Sequence, residues 1–489
     1  MEPIATAQSI RDAEAAWFAA HPGGDLMGLA ASAVARACVP LLTGREHLGV
    51  LVVAGPGNNA GDALFAASEL GELIGRPVPV WVWPIVDATH DDGLAAALDE
   101  GAVVVDAAGA LTLCTGVGLV IDGVSGLGGK PGLPDAVALV ARAVAEAGVP
   151  VVAVDIPSGL VADSSVAHES FVADVTVTFI ARKLAHVAEP AASACGRVEL
   201  VDIGVAPPPV DVWRVTESDL RAWYPWPGVG SDKYARGVVG IDTGTEVYPG
   251  AALLGVSGAL HAGAGMVRYA GPARDEVLRA FPSVVAPVDP AEPGRVQAWV
   301  VGSGWPGGDA DRLARRVADW VPMVLDAGAL DGFRQAQPPG GQAQPPGGQT
   351  QPPGQLPDDC VLTPHAGELA RLLGVERAAV EADPLGHARR AAAEIGACVL
   401  LKGATQYSVA PDGTAILAEA GPAWTATAGS GDVLAGMVGT FLAAGVPTPW
   451  AAALAASLQA RAAAAMPGPH TPDEVARLAL PGAIADLMP

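Results

Sequence analysis

The stretch Leu48-Gly49-Val50-Leu51-Val52-Val53-Ala54-Gly55-Pro56-Gly57-Asn58-Asn59-Ala60-Gly61-Asp62 decides the fold. Leu48 to Ala54 is a short valine-rich apolar run bounded by glycine, the length of a buried strand. The glycines and asparagines after it predict a turn, and the Ala, Leu and Phe residues after Asp62 predict a helix. Strand, glycine-rich turn and helix open a βαβ unit of nucleotide-binding type.

The pattern continues on both sides. Residues up to about Val39 read as helix, and strands are expected at Val78–Val82, Ala102–Val105, Leu119–Ile121, Pro150–Val154 and Phe171–Phe179, with a helix at Leu133–Ala147. Such alternation predicts a largely parallel sheet covered by helices on both faces, with ligands at the carboxyl ends of the strands. That rule draws together Asp62, Asp122 and Asp155. Asn58 to Asp62 concentrate oxygen donors suited to a monovalent or hard divalent cation, although Asn and Asp also populate turns for conformational reasons alone. Asp122-Gly123-Val124-Ser125-Gly126-Leu127-Gly128-Gly129 and Asp155-Ile156-Pro157-Ser158-Gly159-Leu160 add two small-residue loops. Lys183 either closes this site with a positive charge or stands solvated at the surface.

Val205-Ala206-Pro207-Pro208-Pro209-Val210 breaks the alternation, which puts an N-terminal domain at residues 1–210, a linker at 211–228 and a second domain at 229–489. The second series runs through a strand at Gly237–Ile241, a helix at Ala251–Ala264, strands at Met266–Ala270, Ala298–Val301, Val321–Leu325 and Val399–Leu401, and a β-pair across Pro411-Asp412-Gly413. Gln-Ala-Gln-Pro-Pro-Gly-Gly, repeated nearly three times within residues 335–357, is expected to be a solvated loop.

A chain of 489 residues that is half apolar has the material for two cores. A net charge of −24 excludes nucleic acid and anionic membrane surfaces as general partners. Five scattered cysteines without a CxxC pair suit a reducing cytoplasm, and no secretory signal is visible at Met1-Glu2-Pro3. Anionic ligands must then be held locally, and Thr425-Ala426-Thr427-Ala428-Gly429-Ser430-Gly431-Asp432, running into the apolar segment Val433–Val446, offers a place. A small-residue loop entering a helix presents free N–H groups to a phosphate. Asp432 there is either a helix starter or a base.

In this order, the residues of the first half resemble the NAD(P)HX epimerase family, with its Asn-Asn-Gly-Gly-Asp turn, its Asp before a glycine-rich loop and its Asp-Ile-Pro-Ser-Gly turn. The resemblance implies a Rossmann-like doubly wound sheet that holds the hydrated dinucleotide on Asn58, Asn59, Ala60, Gly61 and Asp62, on Gly126, Leu127, Gly128, Gly129, Lys130, Pro131 and Gly132, and on Asp155. It implies potassium on Asn59, Asp122 and Ser158, with Asp155 moving the proton. This sequence has Ala60 and Ala63 where the family usually has glycine, two methyls expected where the backbone meets the ligand.

In the second half, Tyr248-Pro249-Gly250-Ala251, Gly302-Ser303-Gly304, Asp326, Thr363-Pro364-His365-Ala366-Gly367-Glu368, Lys402-Gly403-Ala404-Thr405 and Gly431-Asp432 resemble the ADP-dependent (S)-NAD(P)HX dehydratase family, of ribokinase-like α/β fold. The resemblance implies Ala252, Gly304, His365 and Asp432 on the hydrate, and Lys402, Gly403, Ala404, Thr405, Gln406, Gly429, Ser430 and Gly431 on ADP, with magnesium. Together the halves imply a bifunctional enzyme repairing hydrated NADH and NADPH, with a homo-oligomer as the expected assembly. A small-molecule kinase of the same fold, carrying a nucleotide-sensing first domain, is the rival reading.

Overall fold

In the computed structural model, which describes residues 1–336 and 355–488, Val50–Ala54 is a wholly buried strand. Its residues alternate between two cores. Val50, Val52 and Ala54 pack with the helices Leu26–Leu42 and Asn58–Ile74, whereas Leu51 and Val53 face Ala110 and Val137 of the helices Ala107–Leu113 and Asp135–Ala147. A strand covered on both faces must be apolar throughout, which is why it reads as a continuous run.

Seven parallel strands lie side by side in the order Val103–Val104, Val80–Pro84, Val50–Ala54, Leu119–Gly123, Val151–Val154, Val175–Phe179 and Arg197–Val201. This is the doubly wound arrangement, and its switch point falls between Val50–Ala54 and Leu119–Gly123. Two elements differ from expectation. The strand expected at Phe171–Phe179 begins only at Val175, because the N–H groups of Phe171 and Ala173 donate to Ser158 and Ala194 in loops. Arg197–Val201 was not anticipated, since its exposed edge position lets Arg197 and Glu199 interrupt the apolar pattern.

Pro3–Val210 forms one compact unit, and Met1–Glu2 with Asp211–Pro489 the other. The segment 211–228 is therefore no mere linker. Val212–Arg214 adds to the second sheet beside Ala415–Leu417, and Glu217–Trp223 is a helix started by a Thr216–Asp219 capping box. Three-residue strands give too little periodicity to read from sequence. The second sheet runs Val212–Arg214, Ala415–Leu417, Tyr407–Val409, Cys398–Leu401, Cys360–Leu362, Met323–Leu325, Ala298–Val301, Val238–Asp242, Met266–Tyr269. It is parallel except around Tyr407–Val409, which pairs antiparallel with both neighbours as the Pro411-Asp412-Gly413 turn predicts. Of the repeat expected as a loop, residues 337–354 lie outside the described residues.

The apolar run after Asp432 is the helix Ser430–Ala443, buried from Val433 onward. It crosses the helix Pro249–His261 at backbone contact. A methyl on Gly258 would stand 2.2 Å from the Val433 carbonyl oxygen, and one on Gly436 2.1 Å from that of Gly255. Glycine costs about 1 kcal/mol in a helix interior, so its presence on both partners marks a crossing that admits no side chain. Gly258→Ala is accordingly expected to destabilise the second unit by about 1–3 kcal/mol, read as a lower urea midpoint; an unchanged midpoint would contradict the crossing. All five cysteines are free and buried, and no described helix is long and apolar enough to cross a membrane.

Candidate active sites

In the first unit a cavity of about 570 Å³ opens where the strands Val50–Ala54, Leu119–Gly123 and Val151–Val154 end. Asn58, Asn59, Asp62, Gly126, Leu127, Gly128 and Asp155 line it, joined by Ile10, Arg11, Glu14, Phe179 and Lys183. Glycine is required at 126 because a methyl there would stand 2.6 Å from Asn59 Oδ1 and 2.9 Å from Asp155 Oδ2.

The remaining residues of these loops sit elsewhere. Gly61 packs against the His90 ring and Met27, while Lys130 and Pro131 are exposed. Gly129 and Gly132 are tied by their N–H groups to the carbonyls of Gly126 and Gly159. The methyls of Ala60 and Ala63 are not at the ligand position expected for them. Both residues are fully buried in the core beneath the helix Asn58–Ile74, where Ala63 packs on Gly123.

Asp155 takes a left-handed backbone conformation, with φ of 64°, a strained geometry concentrated at functional turns. Its carboxylate accepts from Lys183 Nζ at 2.5 Å and Thr178 Oγ1 at 3.0 Å. Lys183 is only 1% exposed, and also donates to Thr178 Oγ1 at 2.7 Å and the Phe179 carbonyl at 3.3 Å. Burial opposes ionisation of Asp155, but the Lys183 ammonium outweighs it and holds the carboxyl below the usual range. His186 Nδ1 accepts from the Lys183 N–H, so Nε2 is the nitrogen that donates to the Asp155 carbonyl at 2.8 Å. Burial, then the nearby Lys183 charge, pushes His186 down to about 3, so it stays neutral. Two carboxyls go the other way: burial and then Asp155 raise Asp62 to about 8, and the same causes in the same order raise Glu14. Glu14 escaped sequence reading because the helix Ala7–Ala20 looked like packing, and its single inward acid breaks no pattern.

Asp122 is fully buried; it accepts from Ser158 N at 2.7 Å, Ser158 Oγ at 2.6 Å and Val124 N at 3.2 Å. It has no cationic side chain beside it among the described residues, and burial raises it to about 6. The amide nitrogen of Asn59 is buried without a partner; with the amide turned over, the orphan would be an oxygen. An uncompensated carboxylate, a hydroxyl and an unsatisfied amide fit a cation with oxygen ligands such as potassium.

In the second unit, Asp326 follows the strand Met323–Leu325 and collects groups from three other strand ends. It accepts from Ser303 Oγ at 2.7 Å, Thr363 Oγ1 at 2.8 Å and Lys402 Nζ at 2.7 Å. Burial opposes its charge, and Lys402 prevails, holding it below the usual range. Lys402 Nζ also approaches the start of the helix Ser430–Ala443, 3.3 Å from where a methyl on Gly431 would stand. Asp432, in the first turn of that helix, is pushed up to about 7, by burial and then by the Asp326 charge, against Lys402 and Ser303. A base whose ionisation lies near neutrality is suited to proton transfer.

His365 is half exposed and caps the helix Ala366–Leu373, its Nδ1 accepting from the N–H groups of Gly367 and Glu368 while Glu368 accepts from the His365 N–H at 2.8 Å. Gly403 and Ala404 are exposed, Thr405 is buried, and Gln406 Oε1 is buried without a partner. Gly304 lies against Ala251 and Gly244 in a left-handed conformation, whereas Ala252 is wholly buried under Gly244, so its side chain is packing. Beside this site Asp242, 1% exposed, binds Arg312 Nε at 2.9 Å and Arg316 Nε at 2.6 Å. The strand-end rule that selected Asp326 also applies to Asp242, whose basic partners are spaced i and i+4 on the helix Ala310–Val317.

The family model described as NAD(P)H-hydrate dehydratase matches residues 239–481, and that described as YjeF-related protein N-terminus matches residues 23–185. The bifunctional NAD(P)H-hydrate repair enzyme Nnr of Mycobacterium leprae is 41% identical over 94% of this chain and 94% of its own. The ADP-dependent (S)-NAD(P)H-hydrate dehydratase of Xanthomonas campestris is 33% identical over 48% of this chain and 81% of its own. Among solved structures, an ADP/ATP-dependent NAD(P)H-hydrate dehydratase of Bacillus subtilis aligns with 56% of this chain and 97% of its own at 24% identity and a TM-score of 0.48. With both α/β units matched by a relative of this kind over 94% of the chain, the chain belongs to the family of bifunctional NAD(P)H-hydrate repair enzymes.

Proposed function

We propose that the two units carry out successive steps on one damaged cofactor. The first interconverts the R and S forms of hydrated NADH or NADPH, and the second dehydrates the S form at the expense of ADP, giving the reduced cofactor, AMP and phosphate. The observation that carries this reading is the Asp432 carboxyl, pushed up to about 7 at the N-terminal end of a helix with Lys402 beside it. In the hydrate, the C6 oxygen is a poor leaving group as hydroxide and a good one as phosphate. Asp432 takes the hydroxyl proton as that oxygen attacks the β-phosphate and AMP leaves, and the N–H groups of Gly429 and Gly431 with Lys402 receive the developing phosphoryl charge. Gly304 and His365 stand beside the hydrate, with Ala252 supporting Gly244 from beneath, and Gly403, Ala404, Thr405, Gln406 and Ser430 surround the nucleotide. Magnesium, carried on the nucleotide's own phosphates, would offset further charge there.

In the first unit Asp155 handles the proton, and Asn59, Asp122 and Ser158 would hold potassium, which fixes the loops around the cavity. The acidic charge and free cysteines support action in the cytoplasm. Similarity along the whole chain, both units included, favours repair over a small-molecule kinase.

The test is to mix R and S hydrates with ADP and follow reduced-cofactor absorbance. Full recovery of both forms, with one AMP and one phosphate per cofactor, is expected. Recovery that stops at the S fraction would remove the epimerase assignment, and none at all with ADP or ATP would remove the dehydratase assignment.

A further inference from the structure

The cavity of the first unit contains three carboxyl groups and a single buried ammonium, and this imbalance points to a division of labour. Lys183 commits its N–H groups to Asp155, Thr178 and the Phe179 carbonyl. Asp155 is thus paired. The side chains of Glu14 and Asp62 face the same cavity from the helices Ala7–Ala20 and Asn58–Ile74, with no hydrogen bond or ion pair to either among the described residues. The nearby Arg11 guanidinium donates instead to the Leu127 carbonyl at 2.8 Å. Ile10, Val124, Leu127 and Phe179 supply apolar wall. Two carboxyls in such surroundings, already beside a third that is ionised, do not both carry charge.

We propose that Glu14 and Asp62 together retain one proton and act as the acid of the epimerisation, delivering it to the C6 oxygen of the hydrate, while Asp155 is the base for the returning water. This rests on the reading of the first unit as an epimerase. As the proton is delivered, the C6–O bond breaks and its electron pair leaves with water. The N1 lone pair forms a C6=N1 iminium. Water then adds through oxygen to the other face of C6, its proton passes to the Asp155 carboxylate, and N1 recovers its lone pair. Hydroxyl is exchanged for hydroxyl with no oxidant or reductant. The proton moved from the pair to Asp155 returns through the water of the open cavity before the same epimer reacts again, and directly when the opposite epimer reacts.

The charged surroundings agree with these roles. Asp62 feels Asp155, Glu14 and Asp25, all acidic, whereas Glu14 feels Asp155 against Lys183 and Arg11. Asp155 alone is dominated by a cation, with neutral His186 held behind it. Oxygens from Asn59 and Asp155 both crowd Gly126, so the Asp155 oxygen not held by Lys183 points toward the cavity.

The test uses the full chain without ADP, supplied with one purified epimer in H₂¹⁸O, separating epimers by chromatography and weighing them by mass spectrometry after subtraction of the uncatalysed rate. One ¹⁸O is expected at C6 per enzymatic interconversion, because water departs and re-enters. Glu14→Gln with Asp62→Asn is expected to lower kcat by about 10²–10⁴ with little change in KM, and each single variant less, because the partner still carries a proton. Interconversion that keeps the original oxygen, as ring opening at the N1–C6 bond does, would overturn the assignment without needing any variant. So would a wild-type kcat in the folded double variant. No interconversion by the wild-type chain would overturn the epimerase reading, and this assignment with it.

Discussion

Asp432→Asn is expected to lower ADP-dependent dehydration of the S hydrate by about 10²–10⁴ in kcat, while ADP still binds. The amide keeps the shape and the first-turn position of the acid but cannot take a proton. The pH dependence makes the expectation specific. Since burial and then Asp326 push Asp432 up to about 7, the wild-type rate should climb through neutrality as the base form accumulates and level off by about pH 9. The Asn variant should lack that limb.

Stability runs the other way. A carboxyl raised in the folded state favours folding below its unfolded value and loses that contribution as pH rises through the folded one. Removing its charge therefore spares the native state a cost at pH 8. The variant should be no less stable than wild type there, so lost turnover would not reflect unfolding. A folded Asp432→Asn enzyme with full kcat would end the role given to this residue.

Lys183→Met should have the largest effect on stability. The substitution nearly conserves volume but leaves the Asp155 carboxylate buried without its cation, and breaking one side of a buried pair costs about 3–5 kcal/mol. The two units need not melt together, so hydrogen exchange across residues 150–186 is the better readout; protection should fall by about 10²–10⁴ at pH 7. Asp155 is held below the usual range, so its contribution is complete above the unfolded value near 3.9 and disappears as pH falls through the folded one. The gap between wild type and variant should thus narrow at acid pH. Adding Asp155→Asn to Lys183→Met should restore much of the protection, since the stranded charge is then gone. Unchanged exchange in Lys183→Met would show that the pair does not hold this turn.

The two sites differ in how far they were legible from the chain. Apolar runs ending in Asp122, Asp155 and Asp326 could be read because a buried parallel strand has to be apolar throughout, and its carboxyl end is where polar residues resume. Val212–Arg214 could not, because its pairing with Ala415–Leu417 is fixed by contacts about two hundred positions apart. Lys183 was ambiguous for a related reason. A lysine after a strand is solvated unless the fold brings an acid to it, and that acid lies 28 positions earlier. Ala60 and Ala63 were misjudged because a turn sequence does not say which way its methyls point, and here the helix turns them into the core.

By itself, then, the sequence determined the two α/β units and marked the strand-end loops proposed to meet ligands, since each follows from local composition and from spacing along one strand, turn and helix, while the chemistry proposed for them came from the family resemblance those loops carry. The tertiary structure decided how readily each acid ionises. Asp155 and Asp326 each receive a lysine, from Lys183 and Lys402, whereas Asp62, Glu14 and Asp432 receive burial and like charge. Charge state depends on distances between residues remote in the chain and on the water that packing removes. No reading of neighbours along the sequence contains either.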